Sequence, residues 1–254
     1  MFIDTHAHLY LEQFHNDRSS IISNAIDADV KKIFLPNIDS TTTKAMLALA
    51  SEFSDVCFPM IGLHPSSVKE NYKSEIKHIT DQLSSNKFYG IGETGIDLYW
   101  DKTYIDEQTR AFDVQIQIAK DANLPIIIHS RESLDITIKL ITKHQDGNLR
   151  GIFHCFNGTI AQCQQIQDIG FMMGLGGVIT YKKANLGPMI ASMSPDNLVL
   201  ETDAPYLSPV PFRGKRNESR HIVTIAEKIS EFRGESLEVI RKVTTDNAKK
   251  LFAI

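Results

Sequence analysis

The sequence predicts a closed (β/α)₈ TIM barrel, an α/β fold, built as one domain over residues 1–254. Three observations predict it. Short apolar runs alternate with stretches of helical spacing from one end of the chain to the other, which is the pattern of βα units around a parallel sheet. Eight such runs fall within a length typical of one barrel. No G-x-G-x-x-G follows the first run, which argues against an open dinucleotide-binding sheet.

The eight runs lie at 2–3, 32–35, 57–61, 88–92, 125–128, 151–153, 171–175 and 198–201. The clearest helix is 106–122, where Ala111, Phe112, Val114, Ile116, Ile118 and Ala119 sit among polar residues. Helical spacing also marks 17–28, 43–52, 76–84, 133–144, 159–168 and 184–193. Two last helices, 218–233 and 236–252, follow the final strand and close the outer ring. Pro205, Pro209 and Pro211 mark a stiff loop after that strand rather than a domain boundary. No linker, low-complexity tract or internal repeat is visible.

Composition narrows the function classes. A chain of this size buries a large core and needs no disulfide or structural metal for stability. Cys57, Cys155 and Cys163 cannot all pair, and C-x-x-C is absent, so free thiols in a reducing compartment are expected. No apolar stretch is long enough to span a bilayer, and no basic region precedes an apolar core at the N-terminus. The expectation is a cytoplasmic protein without membrane attachment. Nothing in the sequence sets the oligomeric state, and a monomer is the default. The net charge of −4 gives no global attraction to nucleic acid, so a nucleic-acid substrate would be bound locally, by metals and a few basic side chains.

Metal-capable side chains recur at the C-terminal ends of the apolar runs, where a parallel barrel builds its active site. His6 and His8 follow Phe2 and Ile3, and residues two apart on a strand share a face, so both can reach one ion. Asp4 precedes them and is expected to orient one imidazole. Glu93 follows Gly90-Ile91-Gly92; its two oxygens can bridge two cations, although a helix-capping role is the plainer alternative. His129 and His154 end neighbouring strands and point to a second metal shared with Glu93. Either one alone would read as a core histidine. Asp203 completes the set, as a ligand and as proton acceptor for the attacking water. Glu201 lies two residues earlier on that strand, and a site role and a structural role are equally open. His64, in Gly62-Leu63-His64-Pro65, would sit on the catalytic rim to contact substrate or protonate a leaving group. Arg213, Lys215 and Arg216 form a basic loop that reads either as solvated surface or as a phosphate clamp. His15 and His78 read as solvated surface and His144 as a helix C-terminus. His221, opening a helix behind the basic loop, stays ambiguous.

With these motifs in place the chain resembles the TatD family of metal-dependent hydrolases. The likeness runs through DTHAH, GLHP, GETGID, IIHSRE, FHCFNG, LETDAPYLSP, PFRGKRNE and TTDNAKKLF, in order and across the whole chain. The resemblance implies a barrel of the amidohydrolase type, a two-metal site and a 3′–5′ deoxyribonuclease or related phosphodiesterase activity. It carries the metal ligands onto His6, His8, Glu93, His129, His154 and Asp203, all present. The sequence departs from the family pattern at Tyr10, where an acid or amide is common, and at Ser219, where proline is usual. It departs again at Trp100, which replaces a commonly basic residue.

The leading functional reading is a two-metal nuclease acting on DNA or another phosphodiester. Magnesium, manganese and zinc all suit histidine and carboxylate ligands. Trp100 or Tyr99 on the rim would stack on a base, with a packing role for Trp100 as the even alternative. A second reading is hydrolysis of a small amide or ester, as in other barrels with this metal layout. Many of those bridge their metals with a modified lysine, whereas Glu93 stands here. A third is a metal held only for binding or stability. Structural zinc is usually fully ligated by protein, whereas six ligands on five strand ends suggest two incompletely filled ions.

Overall fold

The computed structural model describes residues 1–254. Eight strands alternate with helices: β1 Phe2–Asp4, β2 Val30–Pro36, β3 Cys57–Met60, β4 Ile91–Asp97, β5 Ile126–Arg131, β6 Gly151–Phe153, β7 Met172–Leu175 and β8 Leu198–Leu200. The helices are α1 Arg18–Asp27, α2 Ser40–Glu52, α3 Tyr72–Ser85, α4 Ile105–Asp121, α5 Leu134–His144, α6 Ile160–Asp168, α7 Gly187–Ser192, α8 Ile222–Arg233 and α9 Leu237–Phe252. Every strand pairing is parallel, in the order β1-β2-β3 and β4-β5-β6-β7-β8. Backbone bonds close both seams. Gly92 N donates to Ile61 O at 2.8 Å, and Thr5 N donates to Leu200 O at 3.0 Å. The eight strands therefore form one ring, as expected from their number and spacing. No helix is long and apolar enough to cross a membrane.

Alternation along the strands sorts the core into two layers. Ile33, Ile126, Ile128, Phe153, Leu198 and Leu200 pack outward against the helices. Ile3, Phe34, Phe58, Met60, Ile127, Ile152, Met172 and Val199 pack with Ala248, Leu251 and Phe252 from the end of α9. These residues fill the barrel interior at its N-terminal end, and α9 covers that floor. Phe252 stacks on Phe34 with centroids 3.7 Å apart. Thr245 Oγ1 donates to Met1 O at 2.9 Å and Asn247 Nδ2 to Leu198 O at 2.8 Å. The TTDNAKKLF segment is thus the barrel's lower lid. Period two then dictates the other end. His129 stands two residues after Ile127, His154 two after Ile152, and Glu201 two after Val199, so all three continue the inward face toward the C-terminal mouth.

The fourth strand departs from expectation. The apolar run 88–92 predicts it, yet β4 runs Ile91–Asp97 and pairs Thr94, Gly95, Ile96 and Asp97 with Ile128, His129, Ser130 and Arg131. GETGID is strand rather than the loop beyond it. Gly95 makes this possible: a Cβ there would meet the His129 carbonyl oxygen at 2.0 Å, and its φ is +143°. The helix expected at 184–193 shortens to α7, because Gly187 and Pro188 open it late. The helix expected from 43 begins at Ser40, since Asp39 caps it, its side chain accepting from Thr41 N.

Truncating the floor should be costly and local. Phe34→Ala is expected to lower the unfolding free energy by about 3–5 kcal/mol, the usual cost of removing a buried aromatic ring. Chemical denaturation measures this. A loss below about 1 kcal/mol would mean that the α9 lid does not pack as described.

Candidate metal centre

Glu93 sits on β4 with its side chain 3 % exposed, and its two oxygens face two different sets of imidazoles. Oε2 lies 3.1 Å from His6 Nε2 and 3.4 Å from His8 Nε2. Asp203 Oδ1 lies 3.7 and 3.6 Å from those same nitrogens. Oε1 lies 2.7 Å from His129 Nδ1, 2.9 Å from His154 Nε2 and 3.3 Å from His64 Nε2. His6 and His8 present their Nε2 atoms to each other at 3.2 Å, and the His6 and His154 rings stack at 4.0 Å. Donor atoms of His6, His8 and Asp203 converge closely enough to hold a cation, as do those of His6, Glu93 and His154 and those of His64, Glu93 and His129. All six residues expected as ligands meet at the C-terminal end of the barrel. His129 and His154, expected to share an ion with Glu93, face the same Glu93 oxygen with 3.4 Å between His154 Nε2 and His129 Nδ1, and the His64 ring joins them 4.5 Å from that of His129.

Charge governs this cluster. Burial alone would raise the Glu93 carboxyl; the charges of His154, His64 and His6 and a hydrogen bond from His129 outweigh it and hold the group well below the carboxylate range. Burial pushes His6 down, reinforced by neighbouring imidazoles, and pushes Asp203 up to about 6. Asp203 occupies a left-handed backbone position, φ +56°. Asp203 N donates to His6 O at 2.8 Å, and Tyr206 N donates to Asp203 O at 2.8 Å.

The partners on the far side of each ring decide what the ring offers. Tyr10 Oη donates to Pro36 O at 2.6 Å, so it accepts at 2.9 Å from His8 Nδ1–H. That leaves the lone pair of His8 Nε2 facing the centre. Asp97 Oδ2 lies 3.0 Å from His129 Nε2, which holds the ring with Nδ1 turned inward, 2.7 Å from Glu93 Oε1. Burial would raise Asp97, but the His129 bond and the N–H groups of Tyr99 and Trp100 bring it down to about 2. Glu201 Oε1 lies 3.3 Å from His154 Nδ1 and accepts from Cys155 N at 2.6 Å. Glu201 fits only because β7 has glycine opposite: a Cβ on Gly174 would stand 2.0 Å from its Oε2. His64 differs. Its Nδ1 accepts Ser66 N–H at 3.1 Å, so a neutral His64 carries its proton on Nε2, toward Glu93. His64 thus turns Nε2 toward the cavity that Glu93 faces.

Several expectations need correction. Asp4 does not orient an imidazole. Its oxygens accept from Thr202 N at 2.9 Å, Thr202 Oγ1 at 2.6 Å and His6 N at 3.3 Å, tying β1 to the end of β8, while His6 Nδ1 has no partner. The carboxylate that does orient a ring, Asp97, acts from β4 on His129 of neighbouring β5, whereas Glu201, just past β8, approaches His154 from two strands away, over Gly174 of β7. The basic loop stands outside the cavity. Arg216 pairs with Asp17 at 2.6 Å, donates to Gln13 O and covers the Phe14 ring at 4.5 Å, so its guanidinium is committed to the α1 side. Arg213 lies over Tyr181 at 4.1 Å and Lys215 is exposed. The Lys or Arg that does line the roughly 550 Å³ cavity is Arg131, which sequence reasoning passed over although it stands two residues past His129. His78 is half-buried, its Nε2 2.9 Å from Thr43 Oγ1, rather than plain surface. His221 is a buried structural residue, stacked on Phe212 at 4.1 Å and bonded through Nδ1 to Asn217 Oδ1 at 2.9 Å.

A family model described as TatD related DNase matches residues 3–253. The chain belongs to the TatD family of metal-dependent hydrolases. It is 35 % identical, over the full length of both chains, to the uncharacterized metal-dependent hydrolase YabD of Bacillus subtilis. It is 28 % identical to the 3′-5′ ssDNA/RNA exonuclease TatD of Pectobacterium carotovorum, over 99 % of each. The crystal structure of the TatD homologue YjjV from Escherichia coli superposes with a TM-score of 0.94 at 29 % identity, covering 100 % of this chain and 98 % of that one. This TatD-family chain is therefore a metal-dependent hydrolase, and its histidine and carboxylate clusters provide donors suited to divalent ions.

Tyr10→Phe removes only the hydroxyl that fixes His8. Divalent-metal affinity is expected to fall roughly tenfold to a hundredfold, as for other losses of an outer partner. Unchanged affinity in a competition titration would remove Tyr10 from the site. A separate pH effect comes from His221. Burial, helped by the charge of Arg220, pushes its imidazole from 6.5 down to about 4. Between those pH values the unfolded chain binds a proton that the folded chain does not, so stability falls as pH drops through this window. His221→Asn should flatten the slope of melting temperature against pH from 7 to 4. An identical slope in both proteins would refute the assignment.

Proposed function

We propose that the protein is a two-metal phosphodiesterase, a 3′–5′ deoxyribonuclease, and the observation that carries this reading is the division of Glu93 between two imidazole sets. His6, His8 and Asp203 would hold one ion with Oε2, and His129 and His154 the other with Oε1. Magnesium, manganese and zinc all suit these donors. Bound there, the ions supply Lewis acidity, lowering the pKa of water and neutralising charge on a phosphoryl group.

The chain's own groups divide the remaining work. Asp203 lines the cavity with a carboxylate 14 % exposed, and it accepts the proton of the attacking water. His64 points Nε2–H into the same space and donates toward the leaving oxygen. Arg131 meets a phosphate oxygen at the mouth, a charge-assisted contact. Arg213 and Lys215, exposed on the loop after β8, are left for phosphates further along the strand. The 3′-5′ exonuclease relative supports DNA as the substrate class. We assign the reaction to the cytoplasm, which three unpaired cysteines support.

The test uses single-stranded DNA labelled at its 3′ end. Metal-stripped protein should release no label, and adding back magnesium, manganese or zinc in turn should restore release beginning at the 3′ terminus. Glu93→Gln keeps the shape but loses the charge that neutralises two cations, so activity should drop by orders of magnitude with the circular dichroism unchanged. Full turnover by Glu93→Gln under saturating metal, or cleavage that starts at the 5′ end, would overturn the reading.

A further inference from the structure

Trp100 is the only tryptophan in the chain, and it is 70 % exposed. It lines the same cavity as Glu93, His129 and Asp203. An indole left this open forfeits the burial that normally favours it, yet the backbone turn that carries it is tied down. Asp97 Oδ1 accepts from Tyr99 N at 2.9 Å and from Trp100 N at 3.3 Å, while Asp97 Oδ2 holds His129. One carboxylate thus couples the indole-bearing turn to a proposed metal ligand. The ring is supported from the side by Tyr99, edge-to-face at 4.8 Å. The Arg131 guanidinium lies 3.8 Å from the Tyr99 centroid and 5.3 Å from that of Trp100. An aromatic ring on a tied backbone turn and one cation therefore flank the mouth of a metal-suited cavity. That pairing matches a planar base joined to a phosphate.

We propose that Trp100 is a specificity-determining residue that stacks on the base of the nucleotide whose phosphodiester occupies the centre, while Arg131 takes an adjoining phosphate. The proposal rests on the phosphodiesterase reading. Stacking of this kind tolerates any base, because every base has a π-face, so Trp100 should demand a base without choosing among the four.

The test separates the two ideas. The metal-loaded full-length protein is titrated with deoxyadenosine monophosphate and with 2-deoxyribose 5-phosphate, neither of which has a diester to cleave. Trp100 fluorescence should be quenched by the nucleotide and not by the sugar phosphate. In kinetics, wild type should show a KM roughly tenfold or more lower for a dinucleotide than for its abasic counterpart. Trp100→Ala should bring that ratio close to one with kcat held for the dinucleotide, and Trp100→Phe should restore most of it. No quenching by the nucleotide, or a KM ratio unmoved by Trp100→Ala, overturns the proposal. If wild type hydrolyses no diester, the phosphodiesterase reading fails. Equilibrium dialysis of the nucleotide against wild type and Trp100→Ala then decides the stacking: a tenfold weaker variant supports it, and equal binding overturns it.

Discussion

Everything at the mouth of this barrel depends on one buried carboxylate. Taking a carboxylate out of water is expensive unless compensating charge and hydrogen bonds are supplied in place. Glu93 is compensated by five imidazoles, two facing Oε2 and three facing Oε1. Imidazole nitrogens crowded to 3.2 Å, as in His6 and His8, repel through their lone pairs unless a proton or cation sits between them. The arrangement is thus a set of electron-rich atoms that gains most from positive charge placed beside each Glu93 oxygen. The barrel supplies the convergence, since residues from β1 to β8 meet at one end of a closed ring of parallel strands.

Convergence alone would not make a working site, because each imidazole must present the right nitrogen. Tyr10 and Asp97 each take up the outward side of one ring, Glu201 stands 3.3 Å from that of His154, and Ser66 does the reverse for His64. Four histidines thereby sit in two kinds of surroundings: His8, His129 and His154 have an oxygen on the outward side of the ring, whereas His64 accepts a backbone N–H there. The cost of this layer falls on the scaffold. Gly174 has no room for a side chain because Glu201 occupies that space. Asp203 is held at φ +56°, a region that costs an ordinary residue about 1–2 kcal/mol.

The ring of strands was legible because apolar runs and turn residues are local signals, and most helices fell within a few residues of expectation. The inward-facing histidines were legible for the same reason: period two carries the face of Ile127 to His129 and that of Ile152 to His154. The orienting layer was not. Tyr10 acts on His8 from a turn, Asp97 acts on a ring of the next strand and Glu201 approaches one two strands away, relations that no single segment contains. Asp4 misled because proximity in sequence suggested a contact that strand geometry gives to Thr202 instead. Arg216 misled because its partner, Asp17, lies 199 residues away. Trp100 and Arg131 were visible as residues, but their pairing with each other depends on β4 extending to Asp97.

The motif around Arg216 still reaches the chemistry, by a different route from the one its charge suggests. Asn217 Nδ2 donates to Thr202 O and to Tyr206 O, both at 2.7 Å. These carbonyls bracket Asp203. Its own carbonyl, in turn, accepts from the backbone of Tyr206, and Asn217 N donates to Pro205 O at 3.0 Å. Arg216, anchored on Asp17, fixes the position from which Asn217 reaches. Arg216 and Asn217 therefore brace the turn that carries Asp203. A neutral residue at Asn217 without an amide would release that turn even though every charge in the loop remained. Within what reads in sequence as a charged patch, Arg216 and Asn217 act in three dimensions as backbone support, and the group that reaches the Asp203 turn is the uncharged one.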